Sequence, residues 1–222
     1  MTLSDAPAAY VELLNLPEGV EEPWRAWYDT TYLQQRASLP GVLSIRRGVG
    51  RVGSIGDMVL YDLVNAGVPF SPAWQSLDRR IERSEAESPE MLAQREYALP
   101  YLMRQITTSV DGTYVPPRVD ILHMSFFVVE PRFQDELNDW YALEHVTPML
   151  QVPGYLNMRR YQGVEDTRMF MGLLDVESLE VAEGPAAAAA MSSPWSDRVR
   201  TKLVNYRERR LFKIERLEMG RA

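Results

Sequence analysis

Two histidines, His123 and His145, are all that this chain of 222 residues contains, and the surroundings of His145 suit proton transfer. Tyr141 precedes it by four residues and so shares its face of a helix, Glu144 adjoins it, and Pro148 follows. Imidazole titrates near neutrality, so a histidine at a cavity mouth can take and return a proton without a cofactor. The same residue could instead favour a helix C-terminus, where a partly positive ring is stabilised. Arg159 and Arg46 could each hold a carboxylate or enolate oxygen as charge-assisted donors, or each could pair with an aspartate, Asp175 or Asp62, across a sheet. The expected catalytic set is therefore His145, Tyr141 and Arg159. The expected binding set is His123, Tyr155, Asn157, Tyr161, Glu12, Tyr10 and Arg46.

Other chemistries lack their residues. Zero cysteines exclude disulfides, thiolate metal sites and cysteine nucleophiles. A metal site would need His145, Glu144, His123 and Glu12 to converge from separate elements, and none is expected. There is no phosphate loop, no Gly-x-Ser-x-Gly and no His-Glu-x-x-His. A net charge of -7 argues against a nucleic-acid partner, and the basic stretch 198–216 is interleaved with Glu208 and Glu215. No apolar run is long enough to span a membrane. The first ten residues lack the basic start and apolar core of a signal peptide, so a cytoplasmic location is expected.

The elements that must position these residues occur twice. Residues 27–62, moved forward by 113, fall without a gap on residues 140–175. Eleven of these 36 positions are identical, among them Trp27/Trp140, Tyr28/Tyr141, Pro40/Pro153, Gly41/Gly154, Arg46/Arg159, Arg47/Arg160 and Asp62/Asp175. Unrelated sequences of average composition match at roughly one position in sixteen. The chain is thus read as a first module at 1–110, a linker at 111–118 and a second module at 119–222. Each module reads strand, helix, strand, strand, helix, strand, the order of the ferredoxin-like unit. The expected fold class is α+β, with two tandem ferredoxin-like (βαββαβ) modules whose antiparallel sheets pack face to face as an intrachain α/β barrel.

Strand alternation divides the side chains between two faces. In the strand Ile121–Val129, the wholly apolar set Leu122, Met124, Phe126 and Val128 is expected to pack on the helices. That turns His123, Ser125, Phe127 and Val129 toward the barrel. In the first module, Val11 and Leu13 are expected on the helices, with Tyr10, Glu12 and Leu14 inward. On the next strands Leu156, Met158, Leu43 and Ile45 face the helices, leaving Tyr155, Asn157, Arg159, Tyr161, Ser44 and Arg46 inward.

The run Trp140-Tyr141-x-x-Glu144-His145-x-x-Pro148, with Val152-Pro153-Gly154-Tyr155 and Arg159-Arg160-Tyr161 after it, resembles the signature of EthD-like proteins in the dimeric α/β-barrel superfamily. The resemblance implies a barrel around a small-molecule cavity and a proton-transfer role for His145. It implies a cofactor-free lyase, isomerase or cyclase acting on a small aromatic or polyketide-like substrate, with Tyr141 or Tyr161 and Arg159 stabilising an oxyanion. Haem held by His145 or His123, as in a monooxygenase- or peroxidase-like barrel, and a non-catalytic small-molecule binder are the alternatives. A homodimer is a further expectation. The repeat mismatches Tyr32/His145, Tyr10/His123 and Glu12/Ser125 point to a pseudo-symmetric shell around one asymmetric site, with the second half supplying the proton-transfer group.

Overall fold

A computed structural model describes residues 7–84, 88–109, 116–204 and 210–220. The first half runs β1 (Ala8–Leu14), α1 (Glu21–Trp27), a π-helical turn (Tyr28–Tyr32), α2 (Leu33–Ala37), β2 (Val42–Val52), β3 (Asp57–Leu63), α3 (Pro72–Ser84), α4 (Pro89–Tyr97) and β4 (Ala98–Thr108). The second half runs β5 (Ile121–Val129), α5 (Gln134–Trp140), a second π-helical turn (Tyr141–His145), α6 (Val146–Gln151), β6 (Tyr155–Gly163) and β7 (Met169–Val176). It continues through α7 (Leu179–Glu183), α8 (Pro185–Ala190), α9 (Pro194–Arg200), the short β8 (Leu203–Val204) and β9 (Arg210–Met219). Of the expected linker 111–118, residues 111–115 lie outside the described residues.

Local chemistry explains the boundaries. The Pro-Gly pairs end α2 and α6 because Gly41 and Gly154 turn the chain at φ +88° and +93°, where an L side chain is strained. Helices α4, α7 and α9 start at serines, Ser88, Ser178 and Ser193, whose hydroxyls accept a backbone N–H of the first turn.

β1 pairs antiparallel with β3 and β4, and β2 with β3, which gives the order β4–β1–β3–β2. β5 pairs with β7 and β9, and β6 with β7, so the second half repeats it as β9–β5–β7–β6. The fold is α+β with tandem ferredoxin-like modules. β6 also neighbours β4 and β2 neighbours β9, so eight strands follow one another in a closed cyclic order, with β8 added beside β5. Two compact units result, one of residues 1–50, 55–104 and 215–222 and one of residues 51–54 and 105–214. Both β4 and β9 therefore run from one unit into the other. Among the described residues no helix is long and apolar enough to cross a membrane.

In each unit a hydrophobic core lies between the sheet and its helices, and its membership reverses part of the expected face assignment. Ala8, Leu14 and Tyr10 belong to the helix-side layer of the first unit, and Ile121, Phe127 and Val129 to that of the second. Tyr10 and Glu12, like His123 and Ser125, therefore point toward the helices, while Val11, Leu13, Leu122 and Met124 take the opposite face. The reason is that both faces of β1 and β5 are buried, so apolarity does not tell them apart. Tyr155 is also on the helix side, because a register irregularity between Tyr155 and Asn157 interrupts the alternation. Asn157, Arg159, Tyr161, Ser44 and Arg46 do lie on the face away from the helices.

Candidate functional site

On the face away from the helices, the expected site residues are bound to one another. Ser44 donates to Asp62 at 2.8 Å and Arg46 to the same carboxylate at 3.2 Å. In the second unit Asn157 donates to Asp175 at 3.3 Å, Arg159 lies 3.6 Å from Asp175, and Arg159 donates to Tyr161 at 3.2 Å. The ion-pair alternative for both arginines is thus realised. Arg159 and Tyr161 are on the other side of the sheet from His145 and Tyr141, so the expected set His145, Tyr141 and Arg159 does not converge.

The helix-side layers of the two units differ in what fills them. In the first, buried Glu12 accepts hydrogen bonds from Tyr61 (3.1 Å) and Gln94 (2.9 Å), Gln94 in turn accepts from Trp24 (3.0 Å), and the Tyr28 and Tyr61 hydroxyls are hydrogen-bonded at 2.5 Å. Arg36 donates to Tyr32 and Asp78 and stacks its guanidinium 4.2 Å from the centre of the Trp74 ring. This layer is packed and charge-paired. Tyr10, against Tyr61 and Trp74, is part of the same packing.

At equivalent positions the second unit carries Ser125 for Glu12, Leu174 for Tyr61, His145 for Tyr32 and Met149 for Arg36. Smaller side chains leave a chamber of about 30 Å³ whose lining includes His123, Ser125, Trp140, Tyr141, His145 and Arg200. His145 ends the π-helical turn and stacks on Trp140 with ring centres 4.2 Å apart and planes at 20°, while Tyr141 stands edge-on at 5.2 Å. Its Nδ1 is buried without a hydrogen-bond partner. Burial first, then the positive charges of Arg200 and Arg160, bring the ring down to about 3, so it is neutral at physiological pH. Nearby, His123 Nδ1 lies 3.4 Å from the Tyr155 hydroxyl. Gly172, where the first unit has Val59, lets Ser125 and Tyr141 meet: an added Cβ would lie 2.7 Å from Ser125 Oγ and 3.1 Å from the Tyr141 hydroxyl.

The turn that carries His145 is tied to α9. Trp140 donates to Ser196 at 3.2 Å, Ser193 donates to Glu144, and Ser193 also caps α9 through the Ser196 N–H at 2.9 Å. Beyond Tyr141 lies a second, larger cavity of about 170 Å³ that includes Arg160 and Ala142. Trp140, Arg160 and Gly172 are not among the residues that the sequence points to as a site. A residue-by-residue comparison of the two repeats singles out Gly172, because it stands opposite a valine.

The chamber around His145 does not fit a haem. Its volume holds about two water molecules. Among the described residues no group of three or more His, Asp or Glu side chains converges for a metal ion.

No protein-family model matches the sequence, and no curated protein does. Solved structures match over nearly the whole chain. An anthrone oxidase-like protein superposes with a TM-score of 0.66 at 16% identity, over 100% of this chain and 97% of its own. A mutant chlorite dismutase from Candidatus Nitrospira defluvii, solved with cyanide, gives 0.59 at 10% identity over 96% and 93%. A ferredoxin fold protein from Listeria monocytogenes, related to antibiotic biosynthesis monooxygenases, gives 0.50 at 8% over 97% and 99%. The likeness is one of fold.

Proposed function

We propose that this chain is an enzyme that oxidises a small, enolisable aromatic molecule with dioxygen, in the helix-side cavities of its second unit and without a resident cofactor. The observation that carries this reading is His145, a half-buried neutral imidazole on an aromatic face whose buried Nδ1 is unpartnered. A buried polar atom left without a partner costs about 1–3 kcal/mol, a cost that a ligand hydrogen bond would remove. The first unit fills the same place with charge-paired residues, so the scaffold does not require the arrangement. His145 would accept the enol or phenol proton through water in its own chamber of about 30 Å³, from a substrate seated in the larger cavity on the other side of Tyr141; the oxyanion that develops beside the Tyr141 hydroxyl would raise the ring's affinity for that proton. The names of the similar structures, anthrone oxidase-like and monooxygenase-related, support oxidation over the lyase, isomerase or cyclase reaction that an EthD-like resemblance implies.

Oxygen uptake by the purified protein with anthrone and related enolisable aromatic ketones tests the reading. We expect protein-dependent, saturable uptake that falls at least ~10-fold in His145→Phe, with a melting temperature within a few degrees of wild type. A His145→Phe variant as active as wild type, or no uptake across the panel, would sink the proposal.

A further inference from the structure

The two repeats differ at one position in a way that leaves a cation stranded. In the first unit Arg47 is buried and its guanidinium fork grips Asp29, with Nε and one terminal nitrogen each 2.7 Å from a carboxylate oxygen. Both oxygens and both donors are satisfied, the strongest geometry available to such a pair. Arg160 is the equivalent arginine, also buried. The residue equivalent to Asp29 is Ala142. Arg160 keeps one side-chain hydrogen bond, 2.9 Å to Asn138, and its guanidinium carbon lies 3.8 Å above the Tyr141 ring. Among the described residues no carboxylate pairs with it. Burying a guanidinium without a counter-charge is costly, so the missing carboxylate requires an explanation.

The space supplies one. Arg160 and Ala142 both line the cavity of about 170 Å³, together with Tyr141, Val146, Thr107 and Thr147. A cavity of about 150 Å³ takes a benzene-sized ligand. The base of this one is a buried cation, its walls are aromatic and aliphatic, and its rim carries the exposed hydroxyls of Thr107 and Thr147.

We propose that this cavity binds a small aromatic carboxylate, whose carboxylate group takes from Arg160 the bidentate hydrogen bonds that Asp29 takes from Arg47. A planar carboxylate is preferred to a tetrahedral phosphate because the first unit uses a carboxylate on the same guanidinium geometry. The inference deepens the oxidation reading by naming the charge of the ligand, and it rests on binding alone. A protein that bound benzoate but consumed no oxygen with any substrate would end that reading and leave this one standing.

Calorimetric titration of the full-length protein with benzoate, benzamide and inorganic phosphate tests it, alongside Ala142→Asp. That variant restores the carboxylate of the first unit, and a fully paired Arg160 should raise its melting temperature. We expect saturable benzoate binding to wild type, at least ~10-fold weaker binding of benzamide and of phosphate, and loss of benzoate binding in Ala142→Asp. Absence of benzoate binding at 10 mM and above would overturn the proposal. So would benzamide binding as tightly as benzoate, phosphate displacing it at equal concentration, or an Ala142→Asp variant that binds like wild type.

Discussion

Glu12 and His145 occupy the same layer in different units and are pushed off their ordinary protonation in ways that make opposite demands on pH. Burial, opposed by Arg36 and by the bonds from Tyr61 and Gln94, raises Glu12 to about 7. A carboxyl raised on folding contributes stability that is whole below its ordinary value of about 4.5 and lost as pH rises through 7. His145, lowered to about 3, contributes stability that is whole above 6.5 and lost as pH falls through 3. The two slopes overlap, so the difference between wild type and Glu12→Gln isolates the carboxyl. In urea unfolding, Glu12→Gln should gain about 1–3 kcal/mol on wild type between pH 4.5 and pH 8; a constant difference would contradict the assignment. For His145 the measurement is the imidazole resonance, expected to stay put between pH 8 and pH 5. A midpoint near 6.5 would show the ring to be solvated and ordinary.

The elements around His145 behave as a supported turn. Ser193 caps α9 and holds Glu144, so Ser193→Ala should cost about 1 kcal/mol and lower activity through the position of the imidazole, visible as a changed His145 resonance. Gly172→Val, which copies the first unit, should place methyl groups where Ser125 and Tyr141 meet. We expect a loss of about 1–3 kcal/mol from overpacking and a larger fall in oxygen uptake than Ser193→Ala causes. Element order, repeat and strand pairing were legible in the sequence because Pro-Gly turns are local signals and the ungapped match at a spacing of 113 shows one module used twice. The side of β1 and β5 that faces the helices was not, since strands buried on both faces carry no polar mark of orientation. Tyr155 was misplaced by one register irregularity, which no residue type announces. Tyr141 and His145 lie together as their helical spacing implies, whereas Arg159 is on the other side of the sheet and Arg160 is the arginine that stands over Tyr141.

At the scale of the molecule, the compact units do not coincide with the sequence repeats. β4 changes unit after residue 104 and β9 after residue 214, so each unit borrows the end of a strand from the other half of the chain. Cutting the chain at 111–118 should therefore strip from each unit the strand end that the other half supplies and expose unpaired backbone. We expect the piece 1–110 to be unfolded or aggregated by circular dichroism and the whole chain to melt in one cooperative transition. A folded, monomeric 1–110 piece would refute this. The π-helical turns at Tyr28–Tyr32 and Tyr141–His145 stand at equivalent places in the two halves. A distortion that recurs at equivalent positions of both copies belongs to the repeated module itself. The widened turn is thus a shared backbone device, and either half has the frame on which the second carries His145. At that turn the halves differ in side chains, one copy closed over with Glu12, Tyr61 and Arg36 while the other carries Ser125, Leu174 and Met149 and stays open.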